Sequence, residues 1–318
     1  MIVEQTKEIT VMFYEPKYKA LWDEFVTNAR NAHFFFKRDY MEYHVDRFND
    51  HSLMIYEGDN LIALFPANLK GNILYSHQGL TFGGFIVGDD IKILRMYNVF
   101  KYLLEFLRSQ GVQELIYKAM PHIYHLRPSE DDLWSLVKLG GEIVKRDISS
   151  VIRLSDVIKF TKGRRGCIKK AKQEGIVVRE SDDLESFFLM MEILLDEKYD
   201  AAPVHKLAEM QVLQSRFPDN IKLFAAYINE TMLAGILIYE TKTVAKTQYI
   251  SSVELGRQLG AVDLIIDHLI NHYQDSKLFF DFGTSTESSE LGFNESLMAQ
   301  KESFGARSVA VDVYKLKL

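Results

Sequence analysis

One order of elements is written twice in this chain, and that constrains the fold more than any single motif. In the first half, apolar alternation marks strands at 53–57, 61–69, 73–76 and 80–87, with a hairpin turn at Gly58-Asp59-Asn60. A helix follows over 91–108, closed by Gly111, then a strand at 114–118, a helix at 128–139, Gly140-Gly141 and a long strand at 142–154. The second half repeats this: strands at 222–228, 232–239 and 244–251, a helix over 260–273, a strand from 278, a helix over 290–303, Gly305 and a last strand at 308–316. Glu114–Lys118 corresponds to Leu278–Asp281, and Val151-Ile152-Arg153-Leu154 to Val313-Tyr314-Lys315-Leu316. Correspondence over about 95 residues is far too long a period for a solenoid. It predicts two copies of one α+β domain, each a mostly antiparallel mixed sheet flanked by helices, at 1–158 and 159–318.

Composition narrows the function classes. The longest apolar run, within 187–195, is broken by Glu192, too short to span a bilayer, so no membrane insertion is expected. The start, MIVEQTKEIT, lacks a basic segment followed by an apolar one, so no signal peptide is read there. A lone cysteine, Cys167, excludes an internal disulfide framework and fits a reducing compartment, so the expected location is cytoplasmic. A net charge of −6 argues against a general DNA or RNA coat.

Four stretches carry candidate chemistry. The first is Leu278–Phe304, where an apolar strand ends in Asp281 and opens into Gly283, Thr284, Ser285, Thr286 and Glu287. Open α/β sheets place ligands at such strand ends; the plain alternative for the polar loop is a helix cap. The second is the basic helix at about 162–174, which interrupts an otherwise acidic chain. Arg165, Lys169 and Lys172 share one stripe beside an apolar stripe of Ile168 and Ala171. Such a helix either is simply solvated or clamps phosphates. The third is His77-Gln78-Gly79 with Gly83-Gly84, where a histidine can act as a base near neutral pH or merely sit in a bulge. The fourth is a short helix bearing Tyr40, His44 and Arg47, able to line the same pocket. His122 and His125 have a ligand-like spacing without a third partner, so no metal site is expected.

The antiparallel meander, helix, strand, helix and final strand resemble the GNAT acyltransferase fold. A tandem pair joined by Arg164-Arg165-Gly166-Cys167-Ile168-Lys169-Lys170-Ala171-Lys172-Gln173-Glu174-Gly175-Ile176 resembles the FemAB-like branch of that superfamily. So do Phe280-Asp281-Phe282-Gly283, the segment Lys301–Arg307, and Tyr75-Ser76-His77-Gln78-Gly79-Leu80-Thr81-Phe82-Gly83-Gly84. The resemblance spans nearly the whole chain. It implies transfer of an acyl or aminoacyl group to an amine, for instance of a sugar or cell-envelope precursor. No permanently bound cofactor is implied; acyl-CoA, such as acetyl-CoA, is the co-substrate.

On that resemblance Asp281 and Glu287 stand on the acceptor side, where a carboxylate orients or deprotonates an ammonium, with Ser285 beside them. His77 is a candidate base, and Tyr249 a candidate acid for the departing thiolate. The pyrophosphate loop of the family would fall on Leu255-Gly256-Arg257-Gln258-Leu259-Gly260-Ala261, which keeps Arg257, Gly260 and Ala261 but departs from the family spacing. The first-half turn, Val87-Gly88-Asp89-Asp90, carries two acids and would repel a pyrophosphate. The expected activity is therefore an N-acyltransferase working in a cleft between domains, on a small-molecule amine or a nucleotide-linked substrate. Two rivals stay open: an aminoacyl-tRNA donor held by the basic helix, and a binding protein that has lost its donor site.

Overall fold

The computed structural model describes residues 8–199 and 204–318. They form two compact units: Met1–Arg146 with Ala310–Leu318, and Asp147–Val309. The expected boundary at 158/159 thus lies inside the second unit, and the last strand of the chain counts with the first.

The first unit opens with β1 (Ile9–Phe13), α1 (Lys19–Asn28) and the single turn α2 (Arg38–Met41). There follow β2 (Leu53–Glu57), β3 (Asn60–Phe65), β4 (Asn68–Lys70), β5 (Ile73–Tyr75), β6 (Ile86–Val87), α3 (Ile93–Ser109), β7 (Glu114–Lys118) and α4 (Asp131–Lys138). Antiparallel pairs join β1 to β2, β2 to β3 and β3 to β6. A second set joins β4 to β5 antiparallel, β5 to β7 parallel and β7 to the C-terminal strand antiparallel. Met96, Val99, Phe100, Leu103 and Leu107 recur at helical spacing along α3, and all are buried against Leu53, Phe65 and Leu115. Each such fully buried side chain contributes about 1.5–3 kcal/mol.

The chain enters the second unit along β8 (Glu142–Arg153). It continues through α5 (Lys162–Gln173), β9 (Val177–Ser181), α6 (Leu184–Tyr199) and α7 (Leu207–Arg216). Then come β10 (Ile221–Ile228), β11 (Thr231–Glu240), β12 (Val244–Ser252), α8 (Glu254–Leu259), α9 (Ala261–Tyr273), β13 (Phe279–Thr284) and α10 (Glu295–Ser303), before β14 (Arg307–Lys317). The sheet runs β9-β10-β11-β12-β13-β8, antiparallel except for the β12–β13 pair. α9 buries Leu264, Ile265, Leu269, Ile270 and Tyr273 against Ile236, Ile238 and Phe280.

The α+β class, the tandem arrangement and most elements follow the sequence pattern, with local differences. The strand expected over 61–69 divides into β3 and β4, which pair with different strands, and α8 occupies part of the expected loop at 255–261. β9 was not expected. The stretch expected as a strand over 80–87 pairs only at Ile86 and Val87, because the residues before them are stitched to β7 instead. α10 starts at Glu295 rather than 290, because Thr286 bridges Phe293 and Asn294 accepts from the Leu297 N–H at 2.8 Å as an N-cap.

Candidate functional site

In the second unit the parallel pair of β12 and β13 lasts for only three partners, Val244 with Phe279, Ala245 with Phe280 and Lys246 with Asp281. Beyond it the two strands no longer pair, and β12 bulges against β11 between the Leu237 and Ile238 positions. The side chains at this fork are the most densely functional in the unit. Asp281 is 2 % exposed. Its Oδ1 accepts from the Ser149 hydroxyl at 2.5 Å and the Gly283 N–H at 2.7 Å. Opposite it Lys246, also buried, donates to Gln248 Oε1 at 2.8 Å.

A second lysine reaches the fork from α10. Lys301 is 6 % exposed and donates to the Gly283 and Thr284 carbonyls, both at 2.9 Å. Burial pushes its ammonium down to about 8; Asp281 pulls the other way and Lys246 adds to the depression. Burial likewise holds Lys246 below the usual lysine range, opposed by Asp281. Next along β12, Tyr249 has its hydroxyl 2.6 Å from His205 Nδ1, and burial raises its pKa against hydrogen bonds from His205 and Gln248. Ser285 completes the group, its Oγ buried without a hydrogen-bond partner among the described residues. The fork therefore brings together a carboxylate and two ammoniums, with Tyr249 farther along β12 and Ser285 just past the end of β13.

The sequence reading named Asp281, Ser285 and Tyr249 as candidates but not the two lysines. Both carried a signal: Lys246 interrupts the apolar start of a strand, and Lys301 falls on the buried face of its helix with Met298. A lysine in either place must be paired or functional. Glu287 is exposed, and its Oε2 accepts from the Asn294 amide at 2.5 Å, so it braces the loop that starts α10.

The remaining candidates lie elsewhere. His77 belongs to the first unit, at φ +67°, stacked on His44 at 5.5 Å and tilted against Phe48. Burial pushes its pKa down to about 3, which leaves it neutral and a weak base near pH 7. Burial also lowers His44, which rests against the Gly79 backbone. Tyr40 stacks on Phe35 at 4.8 Å, and Arg47 lies over the Tyr43 ring.

The expected pyrophosphate loop is closed. Arg257 donates to Glu254 and to the Ser252 carbonyl. Gly260 takes a left-handed φ of +78°, and a Cβ there would lie 2.7 Å from the Cys167 carbonyl oxygen of α5. Ala261 begins α9, whose first turn holds its own carboxylate, Asp263, paired with Arg164 at 3.0 Å. A carbonyl, a carboxylate and an engaged arginine do not fit an entering anion. Of the basic helix, Lys172 pairs with Asp267 at 3.0 Å, while Arg165 and Lys169 are exposed and have no partner among the described residues.

Residues 159–290 match the acetyltransferase (GNAT) domain family. No curated protein matches the sequence. Among solved structures, FemX superposes with a TM-score of 0.71 at 12 % identity, covering 97 % of both chains. L-PGS from Bacillus licheniformis superposes at 0.60 and 13 % identity, over 94 % of this chain and 91 % of its own. A tandem GNAT protein from the clavulanic acid biosynthesis pathway gives 0.51 at 9 %, over 98 % of each chain. At these identities the likeness is one of fold. Among the described residues no helix is long and apolar enough to cross a membrane.

Proposed function

We propose that the chain is a tandem GNAT-fold, FemAB-like acyltransferase, a reading supported by the family match over 159–290 and by the fold, and that it moves an acyl group from a thioester donor to an amine at the β12–β13 fork. The observation that carries this reading is the parting of the two strands immediately after Lys246 and Asp281, with Lys301 held beside them.

The bound ammonium first gives one proton to solvent, and the resulting amine attacks the acyl carbon and forms the N–C bond. Asp281, fixed by Ser149 and the Gly283 N–H, orients the nitrogen and takes its second proton as the bond forms. Negative charge gathers on the carbonyl oxygen, where the Lys301 ammonium offsets it in a buried setting. The carbon–sulfur bond then breaks, and the thiolate takes a proton from the Tyr249 hydroxyl. The proton on Asp281 returns to the tyrosine through solvent. The acceptor class is a small-molecule amine, for instance of a sugar or cell-envelope precursor.

Acyl-CoA is the first donor. The closed loop at Arg257–Ala261 favours a second, aminoacyl-tRNA, which needs no pyrophosphate clamp there. Thermal shift against acetyl-CoA and charged tRNA separates them. A ligand at about 100 times its Kd stabilises by roughly 2.7 kcal/mol. A shift with acetyl-CoA supports the first donor, a shift with charged tRNA alone replaces it, and no shift with either counts against acyl transfer.

A further inference from the structure

The basic side chains of α5 are divided between two tasks. Arg164 donates to Ser303 at 2.7 Å and pairs with Asp263; Lys170 donates to the Gln258 carbonyl at 3.0 Å; Lys172 pairs with Asp267. These three, with buried Ile168 and Ala171, dock the helix on its own unit. Lys162, Arg165 and Lys169 have no partner among the described residues, are exposed, and recur at i, i+3 and i+7. They form a free cationic stripe with no acid between Val157 and Gln173, in a chain whose net charge is −6.

An open cavity of about 490 Å³ adjoins the stripe. Its lining includes the buried Leu154, Ile168 and Ile270, the half-buried Phe160, the cations Lys159 and Arg165, and Asp267, which is paired with Lys172. Two aliphatic side chains of that lining are exposed, Val157 at 36 % and Ile158 at 43 %. Single-stranded RNA needs exposed aromatic faces on which bases can stack, and the aromatic ring of this lining, Phe160, is half-buried edge-on against Phe304, so cations grouped around exposed aliphatics are a poor match for it. They are a good match for an anionic bilayer. Aliphatic side chains enter the boundary between headgroups and acyl chains, while Lys and Arg stems reach back to the phosphates.

We propose that Val157 and Ile158, with Lys159, Lys162, Arg165 and Lys169, form a docking surface for an anionic lipid bilayer. The surface lies wholly within the second unit and does not depend on the acyl-transfer reading. It holds the protein peripherally, with no segment crossing the membrane.

Sedimentation of the full chain with vesicles tests it. Partition onto phosphatidylglycerol–phosphatidylcholine vesicles should exceed that onto phosphatidylcholine alone by about tenfold or more, and should fall with salt. A basic side chain near such a surface contributes about a factor of five, so Lys162→Glu/Arg165→Glu/Lys169→Glu should weaken binding by on the order of a hundredfold. Val157→Asp/Ile158→Asp should weaken it with the melting temperature retained, which keeps the test open if the triple variant fails to fold. Equal partition onto both vesicle types would overturn the proposal. So would vesicle binding indifferent to Val157→Asp/Ile158→Asp, or retention of a single-stranded RNA oligomer without vesicle binding.

Discussion

The two units contain the same parallel fork, β5 with β7 in one and β12 with β13 in the other, and they treat it in opposite ways. In the first unit the fork is stitched shut. Ser76 donates its N–H to the Ile116 carbonyl at 2.9 Å, its hydroxyl accepts from the Lys118 N–H at 2.8 Å, and the Gly83 N–H donates to the Lys118 carbonyl at 2.9 Å. The Lys118 ammonium is spent on the Gln78 and Leu80 carbonyls. In the second unit no strand or loop pairs with β13 on its β12 side beyond Asp281 among the described residues. Lys118 ends β7, whereas Asp281 lies within β13 as its last residue paired with β12. One closes a plug, and beyond the other the two strands part. The proposed reaction is therefore placed at the second fork and not at the first.

The comparison can be broken most sharply at those two residues. Asp281→Asn should reduce CoA release with an amine panel by about 10²–10⁴-fold, the usual range for a positioned acid or base. Lys118→Met should leave the rate within about threefold, since it lies at no reacting centre. Lys301→Met should lower the rate by about 10²–10³-fold, as removal of a preorganised charge does. The pH profile adds a sign. The protonated form of Lys301 acts, so activity should fall as pH rises through about 8, and Lys301→Arg, which stays charged, should abolish that limb.

Stability separates the forks as well. A Cβ on Gly83 would stand 2.0 Å from the Ser76 carbonyl oxygen, so Gly83→Ala should cost about 3 kcal/mol or more by overpacking. Gly283 has open space around it and a φ of +71°, so Gly283→Ala should cost only the left-handed strain of about 1–2 kcal/mol. Calorimetric melting of both variants ranks them.

Acid acts chiefly on the closed fork. His77 has a folded pKa of about 3 against an ordinary 6.5, so the unfolded chain binds the extra proton. The stability it contributes is present above pH 6.5 and is lost as pH falls toward 3. His77→Asn suits the φ of +67° and should flatten that loss in acid melting curves. Least affected should be Glu287→Ala. Its brace to Asn294 is exposed, so the rate should stay within about twofold and stability within about 1 kcal/mol.

How far the fold could be read from the sequence depends on what each element leaves in the pattern. α3, α9 and the strands around Ile236 and Phe280 repeat apolar residues at their own period, so they were legible. β9 was not: Val177-Val178-Arg179-Glu180-Ser181 is an edge strand with little buried face, and such strands carry weak alternation. The plug around His77–Gly83 looked like a reactive glycine-rich strand because glycines serve close backbone approach and ligand approach alike. Asp281 stood out in the sequence because a carboxylate ending an apolar run is unusual. Lys301 was missed because its partners are carbonyls of Gly283 and Thr284, which leave no mark on side-chain spacing. Closure of the Arg257–Ala261 loop depends on the backbone of Cys167 and is equally invisible in sequence.

Hydrogen–deuterium exchange with and without acetyl-CoA tests the open-and-closed account most directly, since it needs no acceptor. The account predicts protection of amides over 247–252 and 282–286, with 76–83 unchanged. Protection over 76–83, with 247–252 and 282–286 unaffected, would contradict it.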